Sequence, residues 1–400
     1  DTGQIAWGDC VAVSYSGIAG RDPVFRTGEG LATIQNVVVP HLQGRELTGF
    51  RQPAAEMDAL TEAVQVIRPV HGSGQARAEG ISRRALLTAP ARIFQAARGD
   101  PVPTERVTVK RPLHTAIRYG VSQALLGAVA AARNLTMAEV IAEEWRLPLP
   151  AGVIPIHAQS GSERYYNAEK MIARRVASLP NAPVDEIQEQ IGKEGTELTR
   201  YLRWLSQRIG ALGGDDYRPA IHLDLHGALG RLYGDNPGLI AVQLQTWEQA
   251  ARPYRLRIEN TVLRESREAQ LRAMKGLRSA VSLRQIAVEL VADEWANSLD
   301  DIHAFVATEA ADMIHIKMPA LGGIDNAIQA VLACKARGVG ALLGGSYTET
   351  ELSARVSVHV ALATQPDLLM AKPGVGTDEA ISLTQNEMAR ALAQVRGRAR

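Results

Sequence analysis

Three carboxylates and one lysine sit where apolar runs give way to polar loops. Asp224 closes the run in "AIHLDLHG", Glu259 that in "YRLRIEN", Asp293 that in "AVELVADEW", and Lys317 that in "DMIHIKMP". One acid at a strand end is ordinarily a helix cap or a solvated group, and a lone lysine there is as ordinary. Three acids on neighbouring strands are different, because they repel unless a cation sits among them. Three carboxylates with open positions for water and substrate suit Mg²⁺, a hard octahedral ion. Burial and a nearby divalent cation would both lower the pKa of Lys317, leaving it neutral and able to act as a base. The ion would hold a substrate carboxylate and stabilise the enediolate formed when the adjacent carbon loses its proton. Gln159, near the end of "GVIPIHAQSG", completes the strand-end set.

Such a site needs strands whose C-terminal ends converge. From residue 152 onward short apolar runs recur: "GVIPIHAQSG", "AIHLDLHG", "YRLRIEN", "AVELVADEW", "DMIHIKMP", "VGALLGG" and "DLLMAKPG". Amphipathic stretches such as "GGIDNAIQAVLACKARG" and "TETELSARVSVHVALAT" lie between most of them. Alternation of this kind means βα units and a parallel sheet. Seven strands, with one weaker strand still to be found, fit an eightfold α/β barrel of the TIM type. A doubly wound sheet is the alternative, but no GxGxxG follows a first strand. Ahead of the barrel, "LHTAIRYGVSQALLGAVAAARN" reads as a long buried helix, and "TMAEVIAEEW" continues it. A helix is expected from about Gly28. The Ala-, Arg- and Glu-rich residues 51–111 read as helices joined by loose loops. "DTGQIAWGDC" reads as a turn and a strand whose earlier partner is missing. The expected division is residues 1–150 as an N-terminal α+β capping domain and 151–400 as the barrel.

The chain has 400 residues, 46% of them hydrophobic, and a net charge of +1. That balance gives no electrostatic reason to expect nucleic acid or a membrane surface as partner. The two cysteines, Cys10 and Cys334, make no framework, which favours a reducing, cytoplasmic setting. "HLDLH" resembles a zinc cluster, yet the acidic neighbours argue for Mg²⁺ over Zn²⁺.

Over almost its whole length the chain resembles the methylaspartate ammonia-lyase family of the enolase superfamily. The resemblance rests on "GDCVAVSYSGIAGRDP", "LHTAIRYGVSQALL", "QSGSERY", "YLRWLSQRI", "VADEW", "IKMPALGGIDNAIQAVLACKARG", "GGSYTETELSAR" and "KPGVGTDE". It implies elimination of ammonia from a 3-substituted aspartate, a Mg²⁺ cofactor with K⁺ as an activating monovalent cation, and a homodimer. It also implies that Asp224, Glu259 and Asp293 hold the metal, that Lys317 is the base and that Gln159 binds substrate. A first strand and loop of the capping domain are missing by the same comparison, and an insertion lies around 51–111.

The pocket departs from the family pattern. Asn181 stands where the family has a histidine facing the lysine, and it cannot transfer protons. His315 replaces a glutamine, Ser346-Tyr347 a Thr-Cys pair, and Ser14 a glutamine near the amine. His157, Leu342 and Met370 replace residues lining a methyl pocket, and Asn260-Thr261 a Gly-Pro. By the two-residue period of a strand, His157 shares a face with Gln159 and His315 with Lys317. His226 joins Asp224 if that strand continues. All three histidines would then point at the site and favour a more polar substrate group, such as a second anion, in place of the methyl. Each could equally be a histidine bonded to backbone. Ser346 doubles as an expected N-cap for "TETELSAR". Other outcomes of the same proton abstraction are dehydration, cycloisomerisation or epimerisation, the last disfavoured by Asn181. A non-catalytic barrel is opposed by the intact acids and lysine.

Overall fold

The computed structural model describes residues 3–69, 104–184, 186–234 and 236–398. Eight parallel strands close into a barrel: β3 (Ile156–His157), β4 (Ser178–Asn181), β5 (Ala220–Asp224), β6 (Leu256–Glu259), β7 (Val288–Ala292), β8 (Met313–Lys317), β9 (Gly340–Gly344) and β10 (Leu368–Met370). They run in sequence order, and β10 pairs with β3 to seal the ring. The weaker eighth strand is β4, "SLPN". Its proline and polar ends hide it from an apolar-run search, although all four residues are buried.

Alternation sets which side chains enter the barrel. On β8, Met313, His315 and Lys317 point inward at three successive levels. Met313 packs with Val291, Leu342, Leu368 and Met370 as an inner apolar plug. Register places Asp224 beside Glu259, and His222 beside Arg257. Gly344 is required on β9. A Cβ there would lie 1.8 Å from the Nε2 of His315, so any side chain would displace that imidazole.

Before the barrel, helices span Thr27–Thr33, Val39–Leu42 and Arg51–Asp58, the first two joined by a π-helical turn at Ile34–Val38. The chain then forms an antiparallel pair, β1 (Thr61–Pro69) and β2 (Thr104–Pro112). Helices were expected here, and the strands correct that. "TEAVQVIRP" and "TERVTVKRP" alternate valine with polar residues, so that Val64 pairs with Val109 and Val66 with Val107. The valines share their face with Glu62 and Arg111, which pair at 2.8 Å, and charges interleaved with apolar residues in this way mimic a helical surface. The helices expected over 70–103 lie outside the described residues. Residues 3–13 form no strand, contrary to expectation. They lie against the helix Thr115–Ala132, where a Cβ on Gly8 would sit 1.7 Å from the carbonyl oxygen of Gly120 and one on Gly120 would sit 2.4 Å from Sγ of Cys10, so neither tolerates a side chain. The helix Met137–Glu144 begins with a full capping box between Thr136 and Glu139. Among the described residues, no single helix is long and apolar enough to cross a membrane.

Candidate active site

A cavity of about 200 Å³ opens at the C-terminal ends of the barrel strands. Lys317, Asp224, Gln159, Asn181, His315 and His226 line it, with Ser346, Tyr347, Met370 and Ser14. Glu259 and Asp293 are buried beneath its floor, at 0% and 1% exposure. Ser14 comes from the N-terminal region and closes the rim. Its Oγ lies 2.8 Å from the Oγ of Ser346, and its backbone N–H donates to that same oxygen at 2.8 Å.

The acids do not stand free. Lys317 donates to Oδ2 of Asp293 at 2.5 Å, and Arg21 reaches Oδ1 of Asp293 at 3.3 Å. Glu259 accepts from His222 at 2.9 Å and meets Nδ1 of His315 at 2.8 Å. Asp224 pairs with His226 at 2.9 Å. The amide of Asn260 bridges Asp224 at 3.0 Å and Asp293 at 3.4 Å. Ligand atoms of Glu259, Asp293 and His315 all lie within 4.8 Å of one another, close enough for one ion. Asp224 stands outside that group because its carboxylate is turned toward His226 and Asn260. Buried carboxylate oxygens are the donors a hard cation prefers, so the residues fit Mg²⁺. The zinc-like reading of "HLDLH" does not hold, since His222 and His226 are spent on different carboxylates.

Burial alone would lower the pKa of Lys317, but the facing charge of Asp293 outweighs it and the pKa is raised. Asp293 is held well below the usual carboxylate range. Its burial works against that, and Lys317 and then Arg21 overcome it. Burial likewise opposes the charge of His226, and Asp224 outweighs it to lift the imidazole to about 9. Burial and the neighbouring Asp293 push Glu294 up to about 8.

His157 departs from expectation. It is fully buried one level below the cavity and does not line it. Its ring lies between Ser178, Asn181 and His222. Leu342 is also part of the inner plug and not of the wall. Ser346 is not the N-cap of the following helix; Thr350 is, accepting from the backbone N–H of Leu352. The backbone N–H of Ser346 instead donates to Glu349 at 2.6 Å. Gln159 presents a buried Oε1 that has no hydrogen-bond partner among the described residues.

Sequence reading missed Arg21, Glu294, Glu349 and Lys372. Arg21 lies in the glycine-rich "GIAGRDP" of the N-terminal region and inserts beneath the cavity, 3% exposed. Its distance in sequence from the strand ends hid it. Lys372 follows β10 two residues after Met370, so the strand-end rule that found Lys317 could have found it. It pairs with Glu349 at 3.0 Å, and Glu349 also accepts from Tyr119 at 2.7 Å.

Comparison with known proteins fits this architecture. Residues 1–146 match the family model of the methylaspartate ammonia-lyase N-terminus, and residues 149–397 that of its C-terminus. Methylaspartate ammonia-lyase 2 of Carboxydothermus hydrogenoformans is 41% identical over 399 residues, covering 100% of this chain and 85% of that protein. A Citrobacter amalonaticus methylaspartate ammonia-lyase structure containing (2S,3S)-3-methylaspartic acid superposes with a TM-score of 0.84 at 35% identity, covering 99% of this chain and 85% of that one. A Mg-complex of β-methylaspartase from Clostridium tetanomorphum gives a TM-score of 0.81 at 37% identity, covering 100% and 86%. A muconate cycloisomerase variant, at 14% identity and a TM-score of 0.57, shares the fold alone.

Proposed function

Because this chain belongs to the methylaspartate ammonia-lyase family, we propose that it is a Mg²⁺-dependent carbon–nitrogen lyase that removes ammonia from a 3-substituted aspartate. The observation that carries the reading is the placement of Lys317 and Asp224 on the cavity wall, directly over the buried Glu259 and Asp293. Asp224, Glu259 and Asp293 would hold the ion. When bound, Mg²⁺ supplies Lewis-acid neutralisation of the charge that builds on the substrate carboxylate as the neighbouring carbon loses its proton.

The residues of this chain divide the remaining work. With Asp293 engaged by the cation, Lys317 would lose the charge that keeps it protonated, and as the neutral amine it takes the C3 proton onto Nζ. The unpartnered Oε1 of Gln159 accepts a hydrogen bond from the substrate ammonium. The backbone and hydroxyl of Ser346, at the start of a turn held by Glu349, offer donors to a carboxylate. The C3–H and C2–N bonds break, a C2–C3 double bond forms, and the amine leaves with its electron pair. Asn181 faces Lys317 from the opposite wall and is neither an acid nor a base, so one face of the substrate is served by a base. Strict stereospecificity at C3 follows.

Family membership also supports activation by K⁺, a homodimer and a cytoplasmic setting as parts of this reading. The test is ammonia release from a panel of 3-substituted aspartates with Mg²⁺ and with EDTA. Release that needs Mg²⁺ and favours one C3 configuration is expected. No release from any member of the panel, or undiminished release in EDTA, would overturn the proposal.

A further inference from the structure

Asn181 is tied at one end and open at the other. Its Oδ1 lies 3.2 Å from Nε2 of His157, and Nδ1 of His157 lies 2.9 Å from Oγ of Ser178. All three residues are buried, at 1%, 0% and 0% exposure. An amide oxygen only accepts, so Nε2 of His157 carries the proton. Nδ1 is then bare and accepts from the Ser178 hydroxyl. Burial, followed by the facing His222, holds the imidazole in this neutral form. The relay therefore runs one way, from Ser178 through His157 to Asn181. With its oxygen held by His157, the amide of Asn181 is left with Nδ2 as its donor, and Asn181 lines the cavity. Asn181 itself sits at φ 58°, a left-handed conformation that asparagine tolerates better than most residues.

Position in the barrel says what those donors meet. β4 and β8 are four strands apart in either direction round the ring, so Asn181 and Lys317 face each other across the mouth. The carbon that gives its proton to Lys317 has three other substituents. One is the carboxylate that goes to the carboxylate-bound cation. The others point away from Lys317, toward the wall that Asn181 and Met370 share.

Resting on the lyase reading above, we propose that Asn181 is a specificity-determining residue that donates from Nδ2 to an oxygen on the 3-substituent of the substrate. The preferred substrate class is then aspartates whose 3-substituent carries a hydroxyl, carbonyl or carboxylate oxygen. The purely aliphatic 3-alkyl aspartates are the poorer class. A buried donor left facing a methyl group loses its hydrogen bond to water and gains none in return. Ser178 and His157 act through Asn181 as positioning residues.

The test compares 3-hydroxymethylaspartate with 3-ethylaspartate, which differ by a hydroxyl in place of a methyl. In the wild type with Mg²⁺, kcat/KM for the hydroxymethyl compound is expected to exceed that for the ethyl compound at least about tenfold. Asn181→Leu removes the donors, so the ratio should fall to one or below. His157→Phe frees the amide to rotate and should lower the same ratio with less effect on 3-ethylaspartate. A purely structural role would lower both substrates together. Calorimetry with the unreactive 2-hydroxymethylsuccinate and 2-ethylsuccinate separates this inference from the lyase reading. If neither amino acid is turned over, the lyase reading fails, and a binding preference for the hydroxymethyl diacid that Asn181→Leu abolishes still supports the role of Asn181. Equal handling of the two substituents by the wild type, or an unchanged ratio in Asn181→Leu, overturns the inference.

Discussion

Lys372→Met tests whether a buried ion pair fastens the N-terminal region to the barrel. Lys372 is 1% exposed and Glu349 is 3% exposed. The ammonium donates to Glu349 at 3.0 Å and to the carbonyl of Gly344 at 3.1 Å. Glu349 in turn accepts from Tyr119 at 2.7 Å, on the helix Thr115–Ala132, and from Ser346 at 2.6 Å. Methionine keeps the length of the lysine and removes its charge, leaving Glu349 buried without a counterion. Removing one partner of such a pair costs about 3–5 kcal/mol. Two hydrogen bonds still reach the carboxylate, so the low end, about 3 kcal/mol, is expected. For a chain of 400 residues that is a fall in Tm of roughly 4 °C. Urea denaturation and thermal melting provide the assay. Adding Glu349→Gln should recover a large part of the loss, because the stranded charge goes with it. A loss below about 1 kcal/mol for Lys372→Met, or a double variant as unstable as the two single losses together, would refute the reasoning.

Two other outcomes follow from the same geometry. Glu259→Gln should weaken Mg²⁺ binding, measured by calorimetry, by more than the roughly 10–100-fold typical of residues around a metal site that do not touch the ion. Unchanged affinity would remove Glu259 from the ligand set. Glu387 bonds to His359 and Arg390, which together outweigh its partial burial and lower its pKa from 4.5 to about 2. Because the folded pKa is depressed, its contribution is fully present above pH 4.5 and is lost as the pH falls through about 2. Glu387→Gln should therefore cost about 1–2 kcal/mol at pH 7 after allowance for solvent screening. The gap from wild type in urea denaturation should narrow steadily below pH 4.5, and a gap independent of pH would contradict this.

The barrel was legible because its strands are short apolar runs separated by helical periodicity. Asp224, Glu259, Asp293 and Lys317 were legible because they end those runs. Two things were hidden. A strand that begins with serine and carries proline and asparagine, as "SLPN" does, has no hydrophobic signature, since its burial comes from position in a closed ring. The β1–β2 pair was masked by arginine and glutamate interleaved with its valines. Distance in sequence hid the rest of the centre. Arg21 reaches Asp293 from the other end of the chain, and nothing local in "GIAGRDP" announces a buried cation. Strand alternation correctly put His157 inside the barrel but could not tell its level. At one level it would touch substrate, and at the level it occupies it orients Asn181.

The most direct measurement is exchange of the C3 proton of a 3-substituted aspartate in D₂O, followed by NMR together with ammonia release. With wild type and Mg²⁺, C3–H should be lost to solvent or to product from one configuration only. Lys317→Gln should bind Mg²⁺ as before and slow both exchange and ammonia release by about 10²–10⁴. Exchange at the wild-type rate in Lys317→Gln, or in wild type stripped of Mg²⁺, would contradict proton abstraction by Lys317 at a cation-bound diacid.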